Sequence, residues 1–131
     1  MKAFIMTNHG LTQSQQNEFD EMGVTDVVTL NDDLKKVWSQ IAPNADRKAV
    51  AQTMIDGFLT SANEGDIVLV QGEFGATFII VDYCLQKGLV PMFATTVRRT
   101  IEKTLDDGTV EKTAVFDHAG FVKYTRYIRY F

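Results

Sequence analysis

The sequence predicts an α/β fold: a Rossmann-like parallel sheet with helices on both faces and a C-terminal β-hairpin extension. Three observations carry this expectation. Apolar runs of strand length alternate with segments whose apolar residues recur at helical spacing. One run, Asp66-Ile67-Val68-Leu69-Val70-Gln71, is unbroken at its centre, as expected for a strand covered on both faces. After Thr96 the alternation gives way to two strand-like segments around Asp106-Asp107-Gly108, a hairpin signal. Strands that alternate with helices imply right-handed crossovers and parallel pairing.

Taken in order, Ala3-Phe4-Ile5-Met6-Thr7 reads as a first strand, broken at Asn8-His9-Gly10. Thr12 and Gln15 have the spacing of a capping box, opening a helix to about Met22 that Gly23 stops. Val24 to Leu30 is a second strand. Asn31-Asp32-Asp33 caps a helix carrying Leu34, Val37, Trp38 and Ile41, ended by Pro43. Arg47 to Ala62 is a longer helix with Val50, Met54, Ile55, Phe58 and Leu59 on one face. Beyond the Asp66–Gln71 strand, Ala76 to Lys87 reads as a buried helix closed by Gly88. Leu89 to Thr95 is a further strand, whose Pro91 suits an edge position. Thr100–Leu105 and Thr109–Phe116 form the hairpin. Phe121 to Phe131 alternates aromatic and basic residues, the pattern either of a strand with two unlike faces or of a surface that stacks on RNA bases.

The 131 residues are expected to form one domain, residues 1–131, and the 45% hydrophobic content can supply its core. Residues 1–97 carry 6 basic and 12 acidic side chains, a balance of −6, and residues 98–131 carry 7 and 5, a balance of +2. An acidic body with a mildly basic end argues against general duplex DNA binding but allows a local site for a small anion. The first apolar run turns polar after six residues, so no secretory signal is expected. The apolar stretch near Ala76 to Leu85 is too short to span a membrane. The single cysteine, Cys84, excludes an internal disulfide and fits a reducing, cytoplasmic setting.

In an open parallel sheet, ligands bind beyond the carboxyl ends of the strands. Those ends carry Thr7-Asn8-His9, Gln71-Gly72-Glu73-Phe74-Gly75, and Thr95-Thr96-Val97-Arg98-Arg99. Gly72-x-x-Gly75 leads into a helix. It reads either as a backbone cradle for an anion at the helix N-terminus or as a tight turn needing positive φ. Glu73 opposes a phosphate at that exact point, since two anions repel. His9 is placed to move protons near neutral pH, or merely to cap a loop. Thr95, Thr96, Arg98 and Arg99 offer two hydroxyls and two guanidiniums that match phosphate geometry. Neither a cysteine nucleophile, a zinc-ligand spacing nor a Gly-x-Ser-x-Gly elbow is present, and no metal or cofactor is expected.

Several of these segments together resemble a known family. They are His9-Gly10-Leu11-Thr12-x-x-Gln15, Trp38, Gly65 to Ala76 with Gln71-Gly72-Glu73-Phe74-Gly75, Ala94-Thr95-Thr96-x-Arg98, Asp107-Gly108 and Phe116-x-His118. The chain resembles the small CRISPR-associated Csx proteins of family twenty over nearly its whole length. The resemblance implies a minimal sensor-type domain that pairs into a homodimer, binds cyclic tetra-adenylate across the two-fold axis and cleaves it as a ring nuclease. Such cleavage needs no metal, and by their chemistry His9, for proton transfer, and Thr96 and Arg98, for positioning and neutralising the phosphate, are the expected catalytic residues. The ligand contacts would be Thr7, Asn8, Gln71, Gly72, Glu73, Phe74, Gly75, Thr95 and Arg99. The family pattern carries arginines on either side of a Phe after the second histidine. Here Gly120 and Val122 flank Phe121 instead, so phosphate contacts from that segment would be weaker. A module that sequesters the messenger without cutting it would use the same residues.

Overall fold

The computed structural model describes residues 1–128. Its five strands are β1 (Lys2–Met6), β2 (Asp26–Thr29), β3 (Ile67–Val70), β4 (Val90–Thr104) and β5 (Val110–Lys123), and they form one sheet in the order β2-β1-β3-β4-β5. Pairings β1–β2, β1–β3 and β3–β4 are parallel, and β4–β5 is antiparallel. The α/β expectation holds, including the hairpin at the C-terminal end.

Helices cover both faces, unequally. Side chains alternate across a strand, so Ala3, Ile5, Ile67, Leu69 and Met92 meet α1 (Gln13–Glu21) on one face, where Phe19 stacks on Phe121 with centroids 4.3 Å apart. Phe4, Met6, Val68 and Val70 point the other way. They are covered by α2 (Asp32–Ser39), α3 (Arg47–Met54) and α4 (Phe74–Lys87). The helix starts follow from local chemistry. Thr12 and Gln15 form the reciprocal capping box, the Asn31 side chain accepts from the Leu34 N–H, and Asp46 accepts from the Lys48 and Ala49 N–H groups. Gly23 and Gly88 supply the left-handed residues that end α1 and α4.

Four expectations are corrected. The long helix stops being α-helical at Met54 and widens into a π-helical segment, Ile55–Leu59, with Ile55, Phe58 and Leu59 all buried. The last helix begins at Phe74, two residues before Ala76, because Glu73 rather than a later residue caps it. It is also only half buried: Phe74 is 93% and Phe78 75% exposed. The strand bearing Pro91 is interior, between β3 and β5. Proline is tolerated there because it lies opposite Tyr124, just past the end of β5. Its carbonyl still accepts from the Tyr124 N–H, at 2.9 Å, but no strand partner remains to need its missing donor.

The hairpin is not a separate appendage. β4 runs on from the parallel sheet without a break, and from Thr96 to Thr104 its residues are exposed, paired only with β5. The result is a two-stranded arm whose tip is fixed by Asp107, which accepts from the N–H and hydroxyl of Thr109, and by Gly108 at φ 84°. At the base of the arm a bulge between Thr95 and Thr96 leaves Ala119 without a partner. The alternating tail is a strand only to Lys123. Arg129, Tyr130 and Phe131 lie outside the described residues.

Candidate functional site at the carboxyl ends of the strands

The carboxyl edge of the parallel strands holds two cavities. The smaller, about 210 Å³, opens past β1 and β2, and Thr7, Asn8 and His9 line it together with Lys35 and Ser39 of α2. The loop that presents these residues is shaped by Thr7, whose hydroxyl donates to the His9 carbonyl at 2.6 Å. Ser39 donates back to the Lys35 carbonyl at 2.7 Å, and Lys35 is the lysine of the lining. Sequence reasoning missed Lys35. The available signal was its i,i+4 spacing with Ser39, on a helix whose buried residues are Leu34 and Trp38.

The larger cavity, about 510 Å³, opens past β3 and β4 and contains Gln71, Gly72 and Phe74 in its walls. Gln71 extends the sheet beyond the last residue of β3. Its side-chain oxygen accepts from the Ala94 N–H at 3.0 Å, and its amide nitrogen lies 3.4 Å from the Ala94 carbonyl. Gly72 does not have positive φ. A Cβ there would come within 2.8 Å of the Trp38 indole, whose Nε1 donates to the Gln71 carbonyl at 3.1 Å. Gly72 is therefore required by close packing against Trp38, a reason neither sequence reading contained.

The start of α4 already holds an anion. The Glu73 carboxylate accepts from the N–H groups of Gly75 and Ala76, and Arg47 Nε donates to its other oxygen at 2.5 Å. The Gly72–Gly75 segment is thus a self-capped helix start, neither the open phosphate cradle nor the positive-φ turn that its sequence allowed. The Ala76 N–H holds the Glu73 carboxyl below its ordinary value of 4.5. Arg47 and the Gly75 N–H add to this against an opposing push from partial burial. A carboxyl lowered on folding stabilises the fold above 4.5, and that contribution is lost as pH falls through the lowered value. Glu73→Gln is expected to lower Tm at neutral pH and to flatten the acid limb of Tm against pH. Parallel curves for parent and variant would show that the cap does not couple to folding.

The remaining candidates lie along the arm. Thr95 is committed internally, its hydroxyl donating to the Gly120 carbonyl at 2.7 Å across the bulge. Arg99 pairs with Asp117, Nε to Oδ2 at 2.8 Å, and this contact pushes the arginine up and the aspartate down. Thr96 and Arg98 are exposed and share the α1 side of the ribbon with His118 and Phe116, their cross-strand partners. Neither lines the cavity that holds His9. The three residues expected to act in catalysis are therefore not gathered in one cavity of a single chain.

His118 has a definite structural place. Its Nε2 lies 2.6 Å from Oε1 of Glu18, which also accepts from the Phe121 N–H, so α1 is tied to the base of the arm. Burial pushes the Cys84 thiol up to about 12, which leaves it inert as a nucleophile. Among the described residues no group of three or more His, Cys, Asp or Glu side chains is arranged to hold a metal ion. No helix among them is long and apolar enough to cross a membrane.

The fold and its strand-end cavities define an α/β domain with a mostly parallel sheet and a projecting antiparallel arm. The chain belongs to the family described as the Uncharacterized protein MJ1673 family, whose pattern matches residues 1–122. It is similar to the Uncharacterized protein MJ1673 of Methanocaldococcus jannaschii, 34% identical over 128 residues, which cover 96% of this chain and 98% of that protein. No solved structure gives a significant match.

Proposed function

We propose that this protein is a CRISPR-associated ring nuclease of the cytoplasm that binds cyclic tetra-adenylate across a two-fold dimer and cleaves it without a metal. The observation that carries the reading is the smaller cavity. There a histidine, an amide and a lysine converge at the carboxyl ends of parallel strands, the position where such sheets take anionic ligands. The sequence resemblance supplies the identity of the ligand. In the reaction, the ribose 2′-oxygen forms a bond to the adjacent phosphorus while the bond from phosphorus to the 5′-oxygen breaks. The 2′-hydroxyl loses its proton to a base, and the 5′-oxygen gains one. A 2′,3′-cyclic phosphate and a 5′-hydroxyl result. His9 is the group suited to the proton transfer, and Lys35 and Arg98 are suited to neutralising phosphoryl charge. A four-unit ring contains a two-fold axis, so an isologous dimer can grip it with matched halves.

One observation favours a second reading. Arg98 and Thr96 stand on the arm, apart from the cavity of His9, as suits a module that only sequesters the ring. Calorimetric titration with cyclic tetra-adenylate tests the shared premise. Arg98→Ala is expected to weaken binding by about 1.5–3 kcal/mol, the worth of a charge-assisted hydrogen bond. Undiminished affinity would remove Arg98 from the site, and no binding by the parent protein would end both readings.

A further inference from the structure

One edge of β4 changes character along its length. Up to Met92 it pairs with β3, and at Ala94 the Gln71 side chain takes over, accepting from the Ala94 N–H and lying against its carbonyl. From Thr96 to Thr104 that edge has no partner among the described residues, because β4 is there paired only with β5 on its other side. Alternate residues of a strand direct their N–H and C=O groups to the same edge. Those of Ala94 point to Gln71, whereas the N–H of Leu105 turns inward to the Thr109 carbonyl. The bulge at the base of the arm falls on β5, so the alternation of β4 runs through it unbroken. Thr96, Arg98, Thr100, Glu102 and Thr104 therefore present unpaired backbone groups outward. A long open edge without proline is a template for another strand.

We infer that this edge pairs with the same edge of a second copy, antiparallel about a two-fold axis at Thr100, so that the two arms merge into one sheet. The order of the side chains picks out both the partner and the register. Opposite residues of an antiparallel pair lie on one face, so the axis must pass through a residue and its own copy. Axes at Arg98, Arg99 and Glu102 set like charges directly opposite each other, and an axis at Ile101 sets Arg99 opposite Lys103. An axis nearer either end leaves most of the edge unpaired. The axis at Thr100 sets Thr96 opposite Thr104, Arg98 opposite Glu102 and Thr100 opposite itself, with the first two pairs repeated by symmetry. On the other face Val97 meets Lys103 and Ile101 meets Arg99, and the long cationic stems cover apolar side chains that are 55% and 41% exposed in the single chain. The register also spans the open edge from end to end. Thr104 of each copy reaches Thr96 of the other and stops before the segment that Gln71 covers. A guanidinium has more donors than one carboxylate engages, so Arg98 keeps its part in the proposed function, now beside the two-fold axis. That two copies pair belongs to that reading; the edge and the register do not depend on it.

Sedimentation of the full chain without ligand, across micromolar concentrations, reads the pairing. Thr100→Pro removes an outward N–H at the axis and leaves the bonds to β5 intact, as proline permits on a free edge. Ala114→Pro, at the cross-strand partner of Thr100, does the same on the outer edge of β5. The parent and Ala114→Pro are expected to be dimers, and Thr100→Pro a monomer with a folded far-ultraviolet circular dichroism spectrum. Glu102→Arg is expected to weaken the dimer roughly tenfold or more, by setting a cation opposite Arg98 at each symmetric place, and adding Arg98→Glu to it should restore most of the loss. A parent that stays monomeric overturns the inference. So do a Thr100→Pro dimer as tight as the parent's, an equal loss in both proline variants, and a double variant no tighter than Glu102→Arg. Dimers that follow these expectations but ignore cyclic tetra-adenylate would keep the arm interface and remove the functional reading. Cleavage of the ring by a Thr100→Pro protein that remains dimeric would do the reverse.

Discussion

Trp38→Ala is expected to lower stability by about 3–5 kcal/mol, the cost of removing a large aromatic from a packed core. Trp38 is 1% exposed and packs among Phe4, Met6, Leu34 and Val70 in the larger of the two core clusters. It also does something no aliphatic residue can, donating its indole N–H to the Gln71 carbonyl beneath the close approach of Gly72. Its loss leaves a cavity, an unpaired carbonyl and a free turn between β3 and α4 at once. For a domain whose total stability is about 5–15 kcal/mol, this is a large fraction. Thermal unfolding followed by far-ultraviolet circular dichroism should show Tm falling by roughly 10–20 °C. A fall of only a few degrees would mean that the indole does not brace the turn.

His9→Ala is expected to slow cleavage of cyclic tetra-adenylate by roughly 10²-fold or more while leaving affinity within about threefold of the parent. His9 is exposed and on a loop, so its removal should not disturb the core, and the effect can be read on the chemical step. Single-turnover cleavage and calorimetric binding, measured on the same preparation, separate the two quantities. Equal losses of rate and affinity would place His9 in the binding shell. Full cleavage would leave in-line positioning as the source of the rate, with water handling the proton.

The parts of the fold that rest on local chemistry were legible in the sequence. The Thr12–Gln15 capping box, the Asn31 cap, the stop at Gly88 and the continuous strand Ile67–Val70 depend on residues adjacent in the chain. What escaped was whatever depends on distant partners. Pro91 reads as an edge residue until the end of β5 at Lys123 is known. Gly72 reads as a turn or phosphate glycine until Trp38, far back in the chain, is seen against it. Glu73 reads as a repellent charge at a phosphate site. In the fold it is the anion that occupies the helix start, because Arg47 arrives from another helix to pair with it. Of the candidate site, Thr7, Asn8 and His9 are contiguous and were found together. Lys35, which shares their cavity, and Thr77, Phe78, Phe93 and Tyr124, which frame the second, are gathered only by the crossovers. Arg98 and Arg99 were grouped by adjacency. The strand alternation sends them to opposite faces of the arm, and Asp117 claims one of them.

The most direct test of the central claim is incubation of the full chain with labelled cyclic tetra-adenylate in EDTA, followed by chromatographic separation of the products. The account predicts linear products ending in a 2′,3′-cyclic phosphate and a 5′-hydroxyl, formed at the same rate with and without the chelator. An intact ring after prolonged incubation, at protein concentrations that bind it fully, would contradict cleavage and leave sequestration as the activity.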